Sequence, residues 1–280
     1  MKWLIILIFQ FYCLFDPNIA QPVFSFQSSC EGNETEYSPN GAYDTNLHTV
    51  LSSVSRNIDS YGFYNTTICQ DADRVSLIAQ CRGDVELQTC RDCIYNATRK
   101  ILEVCPYRKS AFGIYDKCML RYSNESFIGT VSTNPQKIAY ITTSFSNPQL
   151  FFNQYLTPLL TSLRNRASMG RKRKFAANIT NDLDNVTEHA LVQCTADSSA
   201  QGCFDCLTAA YTSLPDCVCY GRLGNYFLMP SCIFRYEPYS FFNESSLTEA
   251  QPPLWPSPPP ASLPSLPPAS LLPPPPPPGI

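Results

Sequence analysis

One cysteine pattern, C-x8-C-x2-C, occurs twice in the chain, at Cys81, Cys90 and Cys93 and again, 113 residues further on, at Cys194, Cys203 and Cys206. Sulfurs at fixed spacing restrict where a backbone can run, so a duplicated spacing implies a duplicated module. The match reaches beyond the sulfurs. LIAQC and CRDC within residues 77–93 answer LVQC and CFDC within 191–206, and CMLRY at 118–122 answers CIFRY at 232–236.

A chain of 280 residues with 44% hydrophobic composition has room for two such modules. Each, at about 100 residues, is small enough to benefit from covalent staples. The compartment agrees with disulfide use. Residues 1–20 join one lysine, an apolar stretch from Trp3 to Phe15 and a small residue at Ala20, the layout of a cleaved secretory signal. The apolar stretch is short for a span, and Asp16, Pro17 and Asn18 interrupt it, so the mature chain is expected to carry no membrane span. N-x-S/T acceptors at Asn33, Asn65, Asn96, Asn124, Asn178, Asn185 and Asn243 fit a glycosylated extracellular surface.

Removing Cys13 with the signal leaves thirteen of the fourteen cysteines, an odd number. At least one thiol must then stand outside the intramolecular pairs. Cys69, Cys217 and Cys219 are the uncertain cysteines: Cys217 with Cys219 in a small ring, or Cys69 with either of them or with another chain, are the open pairings.

The formal net charge of −3 argues against nucleic-acid binding by bulk charge and against a cationic amphipathic attack on membranes. The one basic run, Arg171-Lys172-Arg173-Lys174, reads as a solvated loop face.

In the first module, Leu47, Val50, Leu51, Val54 and Ile58 recur at helical spacing and predict a helix over 44–59. A second helix is expected over 89–104, burying Ile94, Ala97 and Ile101 beside the cysteines. Short apolar or alternating runs predict strands over 74–80, 111–115 and 119–122. In the second module, Phe152, Tyr155, Leu156, Leu159 and Leu163 mark one helix and Phe204, Leu207 and Tyr211 another, with Pro158 to be accommodated near the first turns. Strands follow near 189–193, 226–229 and 233–236. From Gln251 to Ile280 half of the thirty residues are proline and none is charged. Such a tract buries no core and is expected to be a disordered, polyproline-rich spacer.

His48 and His189 are the two histidines, and they fall on different elements in different modules. The carboxylate pairs Asp71/Asp73 and Asp182/Asp184 carry no specific glycosidase signal, and neither HExxH, GxSxG nor a phosphate-binding glycine loop is present. The protein therefore reads as non-enzymatic, with no cofactor or metal. The CxxC pairs Cys90/Cys93 and Cys203/Cys206 remain the one motif with redox chemistry to weigh.

The segments CRGDVELQTCRDC, YDKCMLRYSN, KFAANIT, LVQCTADSSAQGCFDC and PSCIFRYEPYSFF resemble the plant ginkbilobin-type, or stress-antifungal, cysteine-rich repeat, which occurs in tandem in cysteine-rich receptor-like kinases and their secreted relatives. The resemblance covers roughly residues 27–242. It implies an α+β fold of two tandem disulfide-stapled modules, each an antiparallel sheet of about five strands with two helices. The expected division is a signal at 1–20, repeat 1 at 27–130, a linker at 131–146, repeat 2 at 147–242 and a proline-rich tail at 243–280.

The resemblance also selects pairings that sequence alone leaves open: Cys30 with Cys105, Cys81 with Cys90, Cys93 with Cys118, Cys194 with Cys203 and Cys206 with Cys232. Each such bridge contributes on the order of 2–5 kcal/mol by restricting the unfolded chain. In these pairings the two sulfurs of each CxxC take different partners, which argues against a redox pair.

Functionally, the resemblance implies extracellular recognition in defence or stress signalling, with a carbohydrate or protein ligand or a receptor ectodomain as partner. The alternatives are a structural or adhesion protein tethered to the cell wall and a receptor ectodomain truncated at its linker. Founding antifungal members bind mannose through an asparagine, an arginine and a glutamate at set offsets from the cysteines. Those offsets fall on Glu31, Phe112 and Ser123 in repeat 1, which do not match, and repeat 2 keeps an acidic residue, Glu237. Other candidate contact residues are Tyr107, Arg108 and Lys109 after Cys105, and Tyr220 and Arg222 after Cys219.

Overall fold

The computed structural model describes residues 26–30, 36–181 and 186–247. The expected signal, Glu31, Asn33, the Asp182/Asp184 pair, Asn185 and the proline-rich tract lie outside these residues.

Repeat 1 runs β1 (Gln27–Ser29), α1 (Ala42–Asn57), β2 (Phe63–Ile68), β3 (Val75–Cys81), α2 (Leu87–Val104), β4 (Ala111–Ile114) and β5 (Cys118–Ser123). Repeat 2 runs β6 (Lys137–Tyr140), α3 (Pro148–Phe151), a π turn (Phe152–Leu156), α4 (Thr157–Met169), β7 (Lys174–Asn181), β8 (Thr187–Cys194), α5 (Ala200–Thr212), β9 (Asn225–Leu228) and β10 (Cys232–Glu237). The sheets share one topology, β1-β4-β5-β3-β2 and β6-β9-β10-β8-β7, with every described pairing antiparallel. The segment 131–146, expected as a linker, supplies β6. That edge strand completes the second sheet, and its four residues are too few to show a strand period in the sequence.

Local chemistry explains the element ends. In α1, Tyr43, Leu47, Val50, Leu51 and Val54 form the buried stripe. Asp44 in its first turn reaches back to accept from the Asn40 amide at 2.7 Å, which satisfies a donor at the helix start. Pro158 cannot donate to a helical hydrogen bond, and it sits in the first turn of α4, directly after the π turn. There the Thr157 hydroxyl donates to the Phe152 carbonyl at 2.7 Å. The widened turn thus accommodates Pro158 without ending the helix.

The cysteine pattern has a geometric reason. Cys81 on β3 lies opposite Cys118 on β5, yet the two are not bonded to each other. Cys81 bonds Cys90 and Cys118 bonds Cys93. Residues three apart share one face of α2, so two successive sulfurs fasten one helix to two neighbouring strands. Repeat 2 does the same with Cys194–Cys203 and Cys206–Cys232, around the register pair Cys194 and Cys232. Cys30–Cys105 joins the end of β1 to the end of α2, and Cys217–Cys219 closes the turn after α5.

Helices cover one face of each sheet, around Leu47, Ile94, Ile101, Leu77 and Leu120 in repeat 1 and Leu163, Leu207, Val192 and Phe234 in repeat 2. The other faces meet each other. Phe112, Ile114 and Met119 of repeat 1 pack with Phe175, Leu191, Tyr226, Leu228 and Ile233 of repeat 2 in a third buried cluster. Order through the molecule is helices, sheet, sheet, helices, with the joint at the centre.

Two glutamines stitch that joint reciprocally. Gln80 donates to the Cys194 carbonyl at 2.9 Å and accepts from the Ala196 amide at 2.8 Å. Gln193 donates to the Cys81 carbonyl at 2.9 Å and accepts from the Gly83 amide at 3.0 Å. Each stands immediately before the first cysteine of its pattern. Gly83 permits the approach, because a Cβ there would stand 2.5 Å from the Phe175 ring.

Gln193→Leu keeps volume but orphans a buried carbonyl and a buried amide, at roughly 1–3 kcal/mol per group. A urea titration should show a clearly lower midpoint for Gln193→Leu and for Gln80→Leu. Midpoints unchanged in both would mean that the exchange contributes nothing to stability.

Candidate functional site: the joint and the outward loops

Charged groups gather at one end of the joint. Arg82 binds both oxygens of Asp84, at 2.6 and 3.0 Å, and reaches Asp116 at 3.2 Å. Asp116 also receives Arg235 of repeat 2 at 2.5 Å, and Arg235 pairs with Glu237 at 3.3 Å. The segment after β10 closes over them. The Phe241 carbonyl accepts from Arg82 at 2.8 Å, the Phe241 ring centroid lies 3.9 Å from the Arg235 guanidinium carbon, and the Asn243 amide donates to Asp84 at 2.9 Å. Residues 243–247, expected as the start of the tail, thus begin with Asn243 held on the joint and continue as a 3-10 turn over Glu244–Leu247.

Burial alone would lower the Arg82 pKa, but the bidentate Asp84 and nearby Asp116 carry it above its ordinary value. Burial raises the pKa of the Tyr226 phenol beneath this cluster. A cavity of about 20 Å³ in the joint, lined among others by Gln80, Arg82, Asp116, Gln193 and Tyr226, is the size of one water.

The basic run is a solvated face only in its first half, where Arg171 and Lys172 are exposed. Lys172 donates to the Tyr61 hydroxyl at 3.0 Å with its ammonium 4.3 Å from that ring's centroid. Arg173 donates to the Gly83 carbonyl at 3.0 Å and to the Ser60 carbonyl at 3.4 Å. Lys174 is buried against the Ser168 and Gly170 carbonyls, and burial lowers its pKa. Carbonyl groups of repeat 1 and of the end of α4 draw Arg173 and Lys174 inward. Charge counting gives no sign of that.

The positions that fall on the mannose-binding offsets are used otherwise. Phe112 is fully buried in the joint, Ser123 is buried and accepts from the Glu125 amide at 3.1 Å, and Glu237 is buried against Arg235. The loops after Cys105 and Cys219 stay at least partly exposed. Tyr107 is 49% exposed, Arg108 lies 4.0 Å from Glu36, and the Lys109 ammonium is 5.5 Å from the Tyr43 ring centroid. On repeat 2, Tyr220 donates to Gln149 at 3.1 Å, and Arg222 bonds the Thr142 carbonyl and lies 5.4 Å from the Tyr140 ring centroid.

The histidines do not converge. His48 pairs with Asp44 at 3.3 Å on the outer face of α1, while His189 on β8 lies 3.5 Å from Glu244. Among the described residues, no group of three or more His, Cys, Asp or Glu side chains could hold a metal ion, and no helix is long and apolar enough to cross a membrane. Cys69 is exposed and is the unpaired cysteine among them. The described acceptors Asn65, Asn96, Asn124, Asn178 and Asn243 are all at least partly exposed.

Two stretches, residues 29–125 and 141–239, match the family model for salt stress response/antifungal domains. The chain belongs to the stress-antifungal family. It is 35% identical over 242 residues to cysteine-rich receptor-like protein kinase 26 of Arabidopsis thaliana, a match over 86% of this chain and 36% of that protein. It is 39% identical over 244 residues to cysteine-rich receptor-like protein kinase 25, covering 83% and 35%. Over 239 residues it is 36% identical to the putative cysteine-rich receptor-like protein kinase 9, covering 83% and 88%. The chain thus spans about a third of the length of the first two relatives.

The tandem DUF26 ectodomain of the A. thaliana cysteine-rich receptor-like protein PDLP8 superposes with a TM-score of 0.66 at 23% identity, over 78% of this chain and 98% of that one. The corresponding ectodomain of PDLP5 gives 0.60 at 22%, over 76% and 98%. The fold of this stress-antifungal chain is accordingly the tandem DUF26 ectodomain fold.

Two measurements follow from the geometry of the site. Non-reducing peptide mapping should recover Cys90 bonded to Cys81 and Cys93 bonded to Cys118; a Cys90–Cys93 peptide would restore the redox reading. The second concerns Glu237, whose pKa burial raises, with Arg235 and Tyr239 opposing and Asp116 adding, from an ordinary value of 4.5. The native state therefore keeps this proton to higher pH than the unfolded chain. The associated stability is fully present below about pH 4.5 and is lost as pH rises through the native value. Glu237→Gln keeps an acceptor for Arg235 and removes that decline. Its stability relative to wild type should rise with pH above 4.5, and a pH-independent difference would refute the assignment.

Proposed function

We propose that the chain is a non-enzymatic extracellular recognition module of plant defence or stress signalling, the ligand-sensing kind of ectodomain found in receptor-like kinases. The observation that carries this reading is the tandem fold itself, matched along most of its length to receptor-like kinase relatives. Two further features support it. The interior of the joint is filled by side chains and carries at most water-sized space, so binding falls to outward loops and edges. The ionisable groups of the joint pair with one another, Arg235 with Asp116 across the repeats, and the cavity beside them is the size of one water.

The partner in this reading is an extracellular carbohydrate or protein, and the chain acts in the apoplast with N-linked glycans on its exposed acceptor asparagines. Binding is by a rigid pair of repeats, so affinity is not spent on ordering one repeat against the other.

The test uses the secreted, oxidised chain immobilised and offered a panel of purified plant ectodomains and wall glycans. Saturable binding to at least one member is expected, together with a mass decrease of the secreted protein on glycosidase treatment. No binding across the panel by folded protein, combined with thiol-oxidoreductase turnover, would overturn the reading.

A further inference from the structure

An open sheet has two edges, and the four edge strands of this fold are β1 and β2 in repeat 1 and β6 and β7 in repeat 2. Each edge offers a row of backbone donors and acceptors to a strand of another molecule. β1 has three residues and ends at the Cys30–Cys105 bridge, while β6 has four and begins with Lys137, shortly after Pro135. Short length, charge and proline already blunt those two edges. The other two lack such protection. β2 is FYNTTI and β7 is KFAANITN, runs of six and eight residues without proline, and their one charge, Lys174, is turned onto the Ser168 and Gly170 carbonyls. Asp59 occupies the backbone of Phe63 at the start of β2, and Arg166 takes the Ala177 carbonyl on β7 at 3.3 Å. Beyond these contacts, residues 64–68 and 178–181 have no backbone partner outside their own sheet among the described residues.

These two strands, alone among the described ones, contain an N-x-T acceptor: Asn65-Thr66-Thr67 in β2 and Asn178-Ile179-Thr180 in β7. Asparagine is disfavoured in strands. The side chains of Asn46, Asn147 and Asn225 bond backbone groups, whereas those of Asn65 and Asn178 make no hydrogen bond among the described residues, and both are open to solvent, Asn65 in part. Folding thus gives neither residue a task. Duplication does not explain them either. Asn65 lies opposite Ile78, three residues before Cys81, and Asn178 opposite Ala190, four before Cys194, so the two point to opposite faces of equivalent strands.

We infer that Asn65 and Asn178 carry N-linked glycans that guard the β2 and β7 edges against pairing with a second copy of the chain. The inference rests on the extracellular reading above and gives two of its glycans a task. The modification uses a lipid-pyrophosphate-linked oligosaccharide as donor: the asparagine side-chain nitrogen bonds the anomeric carbon, the bond from that carbon to the phosphate oxygen breaks, the lipid pyrophosphate leaves and the amide nitrogen gives up one proton. Nothing is oxidised or reduced. Paired strands lie only about 4.8 Å apart, so a branched sugar chain rooted in mid-strand leaves no room for an incoming strand. Pairing of like edges would also bring two glycans together, since both acceptors lie inside their strands. Recognition is left to the loops and the two short edges.

The experiment uses the whole secreted chain with high-mannose glycans and with Cys69 alkylated in every sample, so that thiol pairing does not contribute. Glycopeptide mapping should find Asn65 and Asn178 occupied. Sedimentation then compares wild type with Asn65→Gln/Asn178→Gln, with the control Asn96→Gln/Asn124→Gln, and with folded wild type trimmed by an endoglycosidase to one sugar per site. The edge variant and the trimmed protein should roughly double in mass or more as concentration rises, while wild type and control stay monomeric. Hydrogen exchange on the associated species should show new protection within residues 63–68 or 174–181.

Bare Asn65 and Asn178, an edge variant that stays monomeric, equal association by the control, or new protection confined to other segments would each overturn the inference. Where the edge variant is not secreted, the trimmed protein decides in its place, and a monomer there overturns the inference equally. Sugar at Asn96 and Asn124 with Asn65 and Asn178 bare would remove the edge guard and leave the extracellular reading standing, whereas a secreted chain without sugar at any acceptor would count against both.

Discussion

The structure depends on burying both faces of both sheets. A sheet with helices on one side leaves an apolar face to cover, and in this chain each repeat covers the other's. Apolar contact is tolerant of sliding, whereas hydrogen bonds from a side chain to a particular carbonyl are not. Gln80 and Gln193 supply the directional part: each amide bonds the backbone beside the first patterned cysteine of the opposite repeat. Those cysteines in turn fasten α2 and α5, so sheet register, helix position and joint are fixed through the same two short segments.

This economy explains where recognition chemistry is and is not to be found. A residue that serves the joint is lost to solvent, as Phe112 and Glu237 are, and a sugar site built from those positions has no surface to occupy. The charged cluster follows the same logic. Arg82, Asp84, Asp116, Arg235 and Glu237 are arranged so that each cation meets a carboxylate and Asp116 is shared by arginines of the two repeats. Removing one member of such a buried network would strand its partners, which makes the cluster a device of assembly. The segment after β10 completes it with a carbonyl, a ring and an amide.

Much of this architecture was legible because cysteine spacing and helical periodicity are local signals. The stripes Leu47–Val54 and Leu159–Leu163 lie on the helices they predict, and the two cysteine patterns mark two equivalent helix-to-sheet attachments. The joint was less legible, since it is made by residues far apart in sequence. Its signal lay in strands that are apolar on both faces, AFGI and NYFL, where a half-exposed sheet would alternate, and in a buried glutamine repeated before each first cysteine. Strand β6 escaped notice for want of length, and Arg173 and Lys174 leave the solvated face expected of their run because composition reports charge without reporting the carbonyl groups of Ser60, Gly83 and Ser168 that receive it.

A tandem repeat also carries its own control experiment. Where two copies agree in sequence and role, as at the cysteines and glutamines, folding is sufficient reason for the agreement. Differences between them against an identical backbone are more informative. Arg121 and Arg235 occupy equivalent strand positions, yet Arg121 lies 4.4 Å from the Phe127 ring centroid while Arg235 enters the joint, because Asp116 belongs to repeat 1 alone. Tyr107 against Gly221 is a second case: both take a left-handed backbone, but a Cβ at position 221 would stand 2.4 Å from Pro148. Packing thus accounts for the difference, since repeat 2 closes Pro148 onto the bare glycine while the Tyr107 ring of repeat 1 lies edge-on to Tyr37.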